Sequence, residues 1–89
     1  VTHVGMILNV NGEPYLYESD VPQVRRLSLK DYLAYVINYN ADRSSDEKIK
    51  VYLIQPQIPY SGDQVESMKA FLDSKLGTRY SIRGFLHKE

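Results

Sequence analysis

The chain has 89 residues, with 11 basic side chains, 11 acidic side chains and no cysteine. This length allows one small domain over residues 1–89, and the zero net charge gives no indication of a nucleic-acid groove or an anionic membrane surface. Within these residues, the missing cysteine excludes disulfides, thiolate metal sites and a cysteine nucleophile.

The chain opens on a predicted β-hairpin. Two short runs, residues 2–8 and 15–20, are rich in β-branched, aromatic and aliphatic side chains, which is typical of strands. Asn11 and Gly12 lie between them, and Asn-Gly between such runs is the strongest short signal for a two-residue hairpin turn. The sequence therefore predicts strand, turn and strand at the start of the domain.

A two-residue turn determines the register of this hairpin. Gly5 then lies opposite Glu18, and His3 lies opposite Asp20, because the numbers of opposed residues have a constant sum. Side chains alternate between the two faces of a strand, so the imidazole and both carboxylates are expected on one face. His3 and Glu18 would be diagonal neighbours. A three-residue loop would place them on opposite faces instead.

The next part of the chain is predicted to be a connector followed by a helix. The proline at position 22 ends the second strand, and a connector to residue 27 carries Arg25 and Arg26, which are expected to be solvated. Ser28 heads the helix as its N-cap, with Asp31 completing a weaker form of the capping box. The residues at helical spacing, which form an apolar stripe expected to pack on the sheet, are Leu29, Tyr32, Leu33, Val36 and Ile37.

The second half of the chain contains another predicted strand and helix. Residues 49–54 favour a strand covered on both sides. Ser61 and Gln64 form a capping box ahead of a helix that Gly77 is expected to close. Residues 80–86 are expected to be extended or irregular. The predicted class is therefore α+β, with an antiparallel β-hairpin and at least one further strand packed against two helices.

The polar face of the hairpin suggests a catalytic pair. A histidine beside a carboxylate is the orienting half of a nucleophilic triad, although such a pair is also a common cross-strand polar contact. The nucleophile itself is missing. Ser61 is the best-placed hydroxyl because it begins a helix, but capping the helix is the more frequent role for a serine at this position.

Other chemistries have less support in the residues. His3, Glu18 and Asp20 would supply three metal ligands on one face, with His87 as a poor fourth, but their spacing matches no metal motif. A glycine-rich phosphate loop is absent, so neither a cofactor nor a metal is expected. No apolar run is long enough to span a bilayer, and a soluble chain is expected.

The order of the motifs resembles that of a known family, the circularly permuted NlpC-type papain-like domains of the YiiX-like group. In that family a strand beginning His-Val-Gly precedes a strand ending in an acid, as residues 3–8 (HVGMIL) and 16–18 (LYE) do here. A strand like residues 51–54 (VYLI) and a helix ending like residues 76–80 (LGTRY) follow in the same order. The resemblance implies a permuted papain-like fold over nearly the whole chain.

The resemblance also implies roles for the hairpin residues. His3 would be the general base and Glu18 the acid that orients it, while Asp20 competes for that role because it lies directly opposite His3. In the family a cysteine nucleophile begins a later helix, which would follow Tyr80, and this chain reaches Glu89 without one. We therefore expect an incomplete domain, truncated before the nucleophile, or a member that has lost it.

These roles imply a parent protein that is a cysteine-dependent peptidase or amidase-like hydrolase, or an acyltransferase. Its substrates would be peptides, peptidoglycan fragments or lipid-linked amides, as in the related domains. The 89 residues alone are expected to be inactive. The alternative is a non-catalytic binding or interaction module that keeps the fold without the thiol.

Overall fold

The computed structural model describes residues 4–20 and 23–86. Three antiparallel strands form one sheet in the order β1-β2-β3, and the predicted α+β class is confirmed. None of the helices in the described ranges is long and apolar enough to cross a membrane. The elements in chain order are β1 (Gly5–Val10), β2 (Glu13–Asp20), β3 (Gln23–Ser28), α1 (Leu29–Asn40), α2 (Gly62–Ser74) and α3 (Ile82–Leu86).

The hairpin of β1 and β2 has the predicted two-residue turn. Asn11 and Gly12 both have positive φ, 53° and 84°, as a type I′ turn requires, and asparagine and glycine tolerate this conformation best. Gly5 pairs with Glu18 in the antiparallel register. The predicted register is therefore confirmed over the described part of the hairpin.

The predicted connector after position 22 is wrong, because Gln23–Ser28 forms the third strand of the sheet. Arg25 pairs with Glu18 and Arg26 pairs with Tyr17 in the register of β2 and β3. Two adjacent arginines conceal the alternation that identifies a strand, since each is charged although they project from opposite faces. Both arginines have acidic partners on their own faces.

One face of the sheet carries the hydrophobic core. Tyr17 lies at its centre, and its hydroxyl donates a 2.7 Å hydrogen bond to Asp73 of α2. Arg26 donates to the same carboxylate oxygen at 3.2 Å and lies over the Tyr17 ring. These contacts anchor α2 to the sheet. The buried residues of this core are Met6, Leu8, Tyr17, Val24, Leu72 and Ile82.

The alkaline stability of the protein should depend on Tyr17. Burial raises the pKa of Tyr17 above its ordinary value of 10.0, the Arg26 guanidinium opposes the shift, and the hydrogen bond to Asp73 adds to it. Above about pH 10 the unfolded chain releases this proton while the folded chain keeps it, so the free energy of unfolding should fall as pH rises. In urea unfolding at about pH 8 and about pH 10.5, Tyr17→Phe should show a smaller fall than the parent chain. An equal fall would contradict this role.

Helix α1 packs on the other face of the sheet, against β2 and β3. Its predicted N-cap is confirmed, because the Ser28 hydroxyl accepts a hydrogen bond from the backbone of Asp31. The predicted apolar stripe packs only in part: Val36 is buried, but Leu33 is 40 % exposed and Ile37 is 72 % exposed. The described sheet therefore covers only part of the apolar stripe that the sequence predicts on α1.

Two predictions in the second half of the chain are wrong. Residues 49–54 form no strand, and their side chains from Val51 onward are exposed, Ile54 by 88 %. Strand geometry needs a neighbouring strand to satisfy its backbone groups, and no described strand pairs with this segment. Residues 82–86 form α3 rather than an extended segment.

Helix α2 begins as predicted but ends earlier. The last helical residue is Ser74, and Gly77 follows three residues later with a positive φ of 81°. The Gly77 N–H donates to the carbonyl of Val24 at 2.9 Å, and the Val24 N–H donates to Thr78 at 2.7 Å. This segment therefore binds along the outer edge of β3 instead of simply closing the helix.

Candidate functional site

Glu18 is a buried carboxylate on the sheet face opposite the core. Its residue is 6 % exposed, and one carboxylate oxygen, Oε2, accepts from Arg25 Nε at 2.6 Å. The same oxygen lies 2.6 Å from Arg25 Nη2. The Arg25 side chain is 50 % exposed. The ion pair therefore joins a buried carboxylate to a guanidinium that contacts solvent. Burial of a charged carboxylate requires such a partner.

Helix α1 contributes Tyr32 to the surroundings of this pair. Burial raises the pKa of Tyr32, and the negative charge of Glu18 adds to the shift. The Arg25 charge acts in the opposite direction on the same phenol. Glu18 is thus paired with Arg25 from β3, and its charge acts on Tyr32 of α1.

Gly5 lies directly opposite Glu18, and its position has no room for a side chain. A β-carbon there would lie 2.7 Å from the Tyr17 carbonyl oxygen and 2.8 Å from Leu16 Cδ1. Opposed residues approach most closely at non-hydrogen-bonded positions, and counting from the turn places Gly5 and Glu18 at such a position. The glycine therefore allows β1 to approach Glu18 closely.

Gly5→Ala should destabilise the protein by about 1–3 kcal/mol, because a backbone oxygen is one of the two atoms that the new methyl group would meet. Gly62→Ala is the matched control: a β-carbon at Gly62 meets nothing within 4 Å, and alanine there should be neutral or stabilising by up to about 1 kcal/mol. Urea unfolding of both variants gives the comparison. Equal stabilities would show that β1 can move away from Leu16 without cost.

The structure describes only part of the predicted catalytic and metal-ligating set. His3 and His87 lie outside the described residues, and Asp20 ends β2. The even loop on which the shared face of His3 and Glu18 depends is confirmed. The choice between Glu18 and Asp20 as the orienting acid stays a prediction.

Ser61 serves as a helix cap. Its hydroxyl accepts from the Gln64 N–H at 3.1 Å, and the Gln64 side chain accepts from the Ser61 N–H at 2.8 Å. This reciprocal pair is the predicted capping box, and it confirms the structural role for this serine. Within residues 4–20 and 23–86, no group of three or more histidine and acidic side chains could hold a metal ion.

Arg25 is the site residue that the sequence interpretation missed. The sequence predicts a solvated connector for Arg25, whereas Arg25 lies in β3 and pairs with Glu18. The sequence contains one signal for this pair. If the residues after position 22 form a third strand antiparallel to β2, Arg25 lies opposite Glu18 and Arg26 lies opposite Tyr17, as they do in the structure. Cross-strand pairs of opposite charge stabilise sheets.

No family model, curated protein or solved structure matches this chain.

Proposed function

We propose that this chain is the base-bearing part of a cysteine-dependent hydrolase, peptidase-like or amidase-like, or of an acyltransferase. His3 would take the proton from a cysteine supplied by sequence outside these 89 residues. The thiolate would attack an amide or ester carbonyl and expel the amine or alcohol, which takes its proton from the His3 imidazolium. Water or another acceptor would then cleave the resulting acyl-enzyme and release the thiol. Glu18 would hold the imidazole in the required tautomer.

The observation that carries this proposal is the placement of Glu18. An acid that orients a histidine has to be ionised and held in one position. Glu18 is held in one position, because it is buried, joined to Arg25 at 2.6 Å and opposite a glycine whose missing side chain lets β1 approach it closely. The confirmed hairpin register supports a shared face with His3, and the sequence resemblance supports the reaction class.

The experiment is to read the gene beyond Glu89 and to express the chain with its natural downstream sequence. A cysteine that begins an amphipathic helix within a few tens of residues is expected there. A thiol-directed acyl probe should label that cysteine, and labelling should depend on His3. A stop codon, a substituted residue, or labelling that His3→Ala leaves unchanged would contradict the proposal.

A second candidate function is a binding module without catalysis. The observation in its favour is the apolar surface that the described residues leave uncovered, since soluble domains rarely expose contiguous apolar patches without a partner. Absence of a downstream cysteine would favour this function. The large apolar side chains that are at least 69 % exposed are Ile37, Tyr52, Leu53, Ile54 and Ile58.

A further inference from the structure

We propose that two copies of this chain associate through β1 and residues 51–54. The segment 51–54 of one copy adds to the outer edge of β1 in the other copy as a fourth, antiparallel strand, with Tyr52 opposite Ile7. A contact that both copies exchange closes into a two-fold dimer. The association involves no catalytic residue, so it is independent of the proposed hydrolase function.

The two outer edges of the sheet are protected differently. Along the outer edge of β3, Val24 exchanges hydrogen bonds with Gly77 and Thr78. β1 lies at the other end of the strand order, and no strand in the described ranges pairs with its outer side. Its sequence, GMILNV, contains neither a charged residue nor a proline, the residues that commonly protect an edge strand. β1 therefore presents an edge that can accept another strand.

The backbone groups that point outward from β1 belong to Gly5, Ile7 and Asn9. Val10 and Glu13 flank the two-residue turn as a hydrogen-bonded pair, and such pairs recur at every second residue of the two strands. The residues between these pairs direct their N–H and C=O groups away from β2. A strand that is added to this edge must therefore offer both groups at every second residue.

Residues 51–54 (VYLI) have the properties of such a strand. β-branched and aromatic side chains favour strands, and the exposed fraction of these residues rises from 50 % at Val51 to 88 % at Ile54. Gln55 precedes Pro56, and a residue before a proline is restricted to extended backbone. Each copy thus carries both a strand edge and a separate apolar segment that fits it, so a second copy is the partner that these features favour.

Hydrogen bonding limits the register of the added strand. The described sheet is antiparallel throughout, and antiparallel pairs are the more stable kind, so we place the segment antiparallel to β1. The Asn40 side chain binds both the N–H and the C=O of Ile49, at 2.8 Å and 3.0 Å, and Pro56 has no N–H. The three outward residues of β1 can therefore face either residues 50, 52 and 54 or residues 51, 53 and 55.

The side chains favour the first of these registers. In it, residues 51–54 lie opposite residues 5–8 in reverse order, which are three apolar residues and a glycine. In the second register, residue 51 lies opposite the polar Asn9 instead. The first register also places Tyr52 opposite Ile7, whose residue is 39 % exposed because α1 packs against β2 and β3. Pairing in this register therefore covers apolar surface of both copies.

The paired segment is short, so the association should be weak. Interfaces below about 1,200 Å² are typical of transient complexes, and we expect a dissociation constant of about 100 µM. At about 1 µM the chain should be monomeric. Unfolding measurements at that concentration therefore report on the monomer, in which Ile54 is exposed.

Sedimentation equilibrium tests the association of the unaltered chain. Between about 1 and 500 µM the average mass should rise from that of a monomer toward twice that value. Tyr52→Pro removes an N–H that pairs with Ile7, and it should raise the dissociation constant at least about tenfold. Ile58→Pro is the matched control, because Ile58 is 82 % exposed but lies beyond Pro56, and it should change the constant by less than about twofold. A monomer at every concentration, or equal constants for the two variants, would overturn the proposal.

Disulfide exchange tests the register and the identity of the partner. The chain has no cysteine, so two single-cysteine variants mixed in a glutathione buffer at about 200 µM can be joined only between copies. Ile7→Cys with Tyr52→Cys should give at least about fivefold more mixed disulfide than Ile7→Cys with Leu53→Cys, because the side chains of opposed residues share a face and those of position 53 point away.

The disulfide yields have clear alternatives. A higher yield with Leu53→Cys than with Tyr52→Cys would overturn the register. The background from random collisions comes from Tyr52→Cys mixed with Ile37→Cys, since Ile37 lies on α1 and is 72 % exposed. A yield for Ile7→Cys with Tyr52→Cys that does not exceed this background would overturn the pairing between copies.

Discussion

Replacing Leu72 by alanine is expected to lower the free energy of unfolding by about 2–5 kcal/mol. Leu72 of α2 is 0 % exposed and belongs to the core cluster, together with residues of the sheet and Ile82 of α3. Truncation removes buried methyl groups and leaves a cavity, because the surrounding core residues cannot fully close around it. For a domain with a total stability of about 5–15 kcal/mol this is a large fraction. Urea unfolding followed by circular dichroism measures the loss.

Ile54→Ala is the matched control for Leu72→Ala. Both changes delete a large aliphatic side chain, but Ile54 is 88 % exposed, so its loss should change stability by no more than about 0.5 kcal/mol. A cost for Ile54→Ala comparable with that for Leu72→Ala would show that residues 51–54 are buried in solution. The predicted strand would then have to be reconsidered.

The second large effect concerns the proposed reaction, and it is measured on the chain extended by the downstream cysteine that the proposed function requires. His3→Ala should slow labelling by an acyl probe at least about 100-fold, because the thiol loses the base that deprotonates it. Glu18→Gln should slow it less, by about tenfold to 100-fold, because the imidazole remains but loses its orienting acid. The measurement is the rate of probe incorporation at fixed pH.

Asp20→Asn provides the matched control for Glu18→Gln. Each substitution replaces one carboxylate on β2 by its amide, and the family resemblance prefers Glu18. Asp20→Asn should therefore change the labelling rate by less than about threefold, as expected for an acid that does not hold the imidazole. A larger loss with Asp20→Asn than with Glu18→Gln would transfer the orienting role to Asp20.

Local signals were sufficient for the hairpin and for the starts of both long helices. Asn11 and Gly12 tolerate the positive φ values of a type I′ turn, and that turn alone determines that Gly5 faces Glu18. Ser28 and Ser61 predicted the starts of α1 and α2, because capping bonds join residues only three positions apart. These features depend on neighbours in the sequence, so the sequence contains the information needed to predict them.

The third strand and the exposed state of residues 51–54 depend on contacts between separate elements of the fold. The strand β3 pairs with β2 along its whole length, and its core-face arginine, Arg26, binds Asp73, which lies 47 residues away in the sequence. Residues 51–54 have the side chains of a strand but pair with no described strand edge.

The candidate site likewise has one part that the sequence predicts and one part that only the tertiary structure shows. Glu18 was recognised from the sequence, because a two-residue turn and strand alternation suffice to place it on the hairpin. Its burial, its ion pair with Arg25 and the presence of Tyr32 came only from the tertiary structure. The reason is physical: the turn and the capping bonds form between residues close in the chain, whereas Glu18 becomes buried only when α1 packs on its face of the sheet and excludes water.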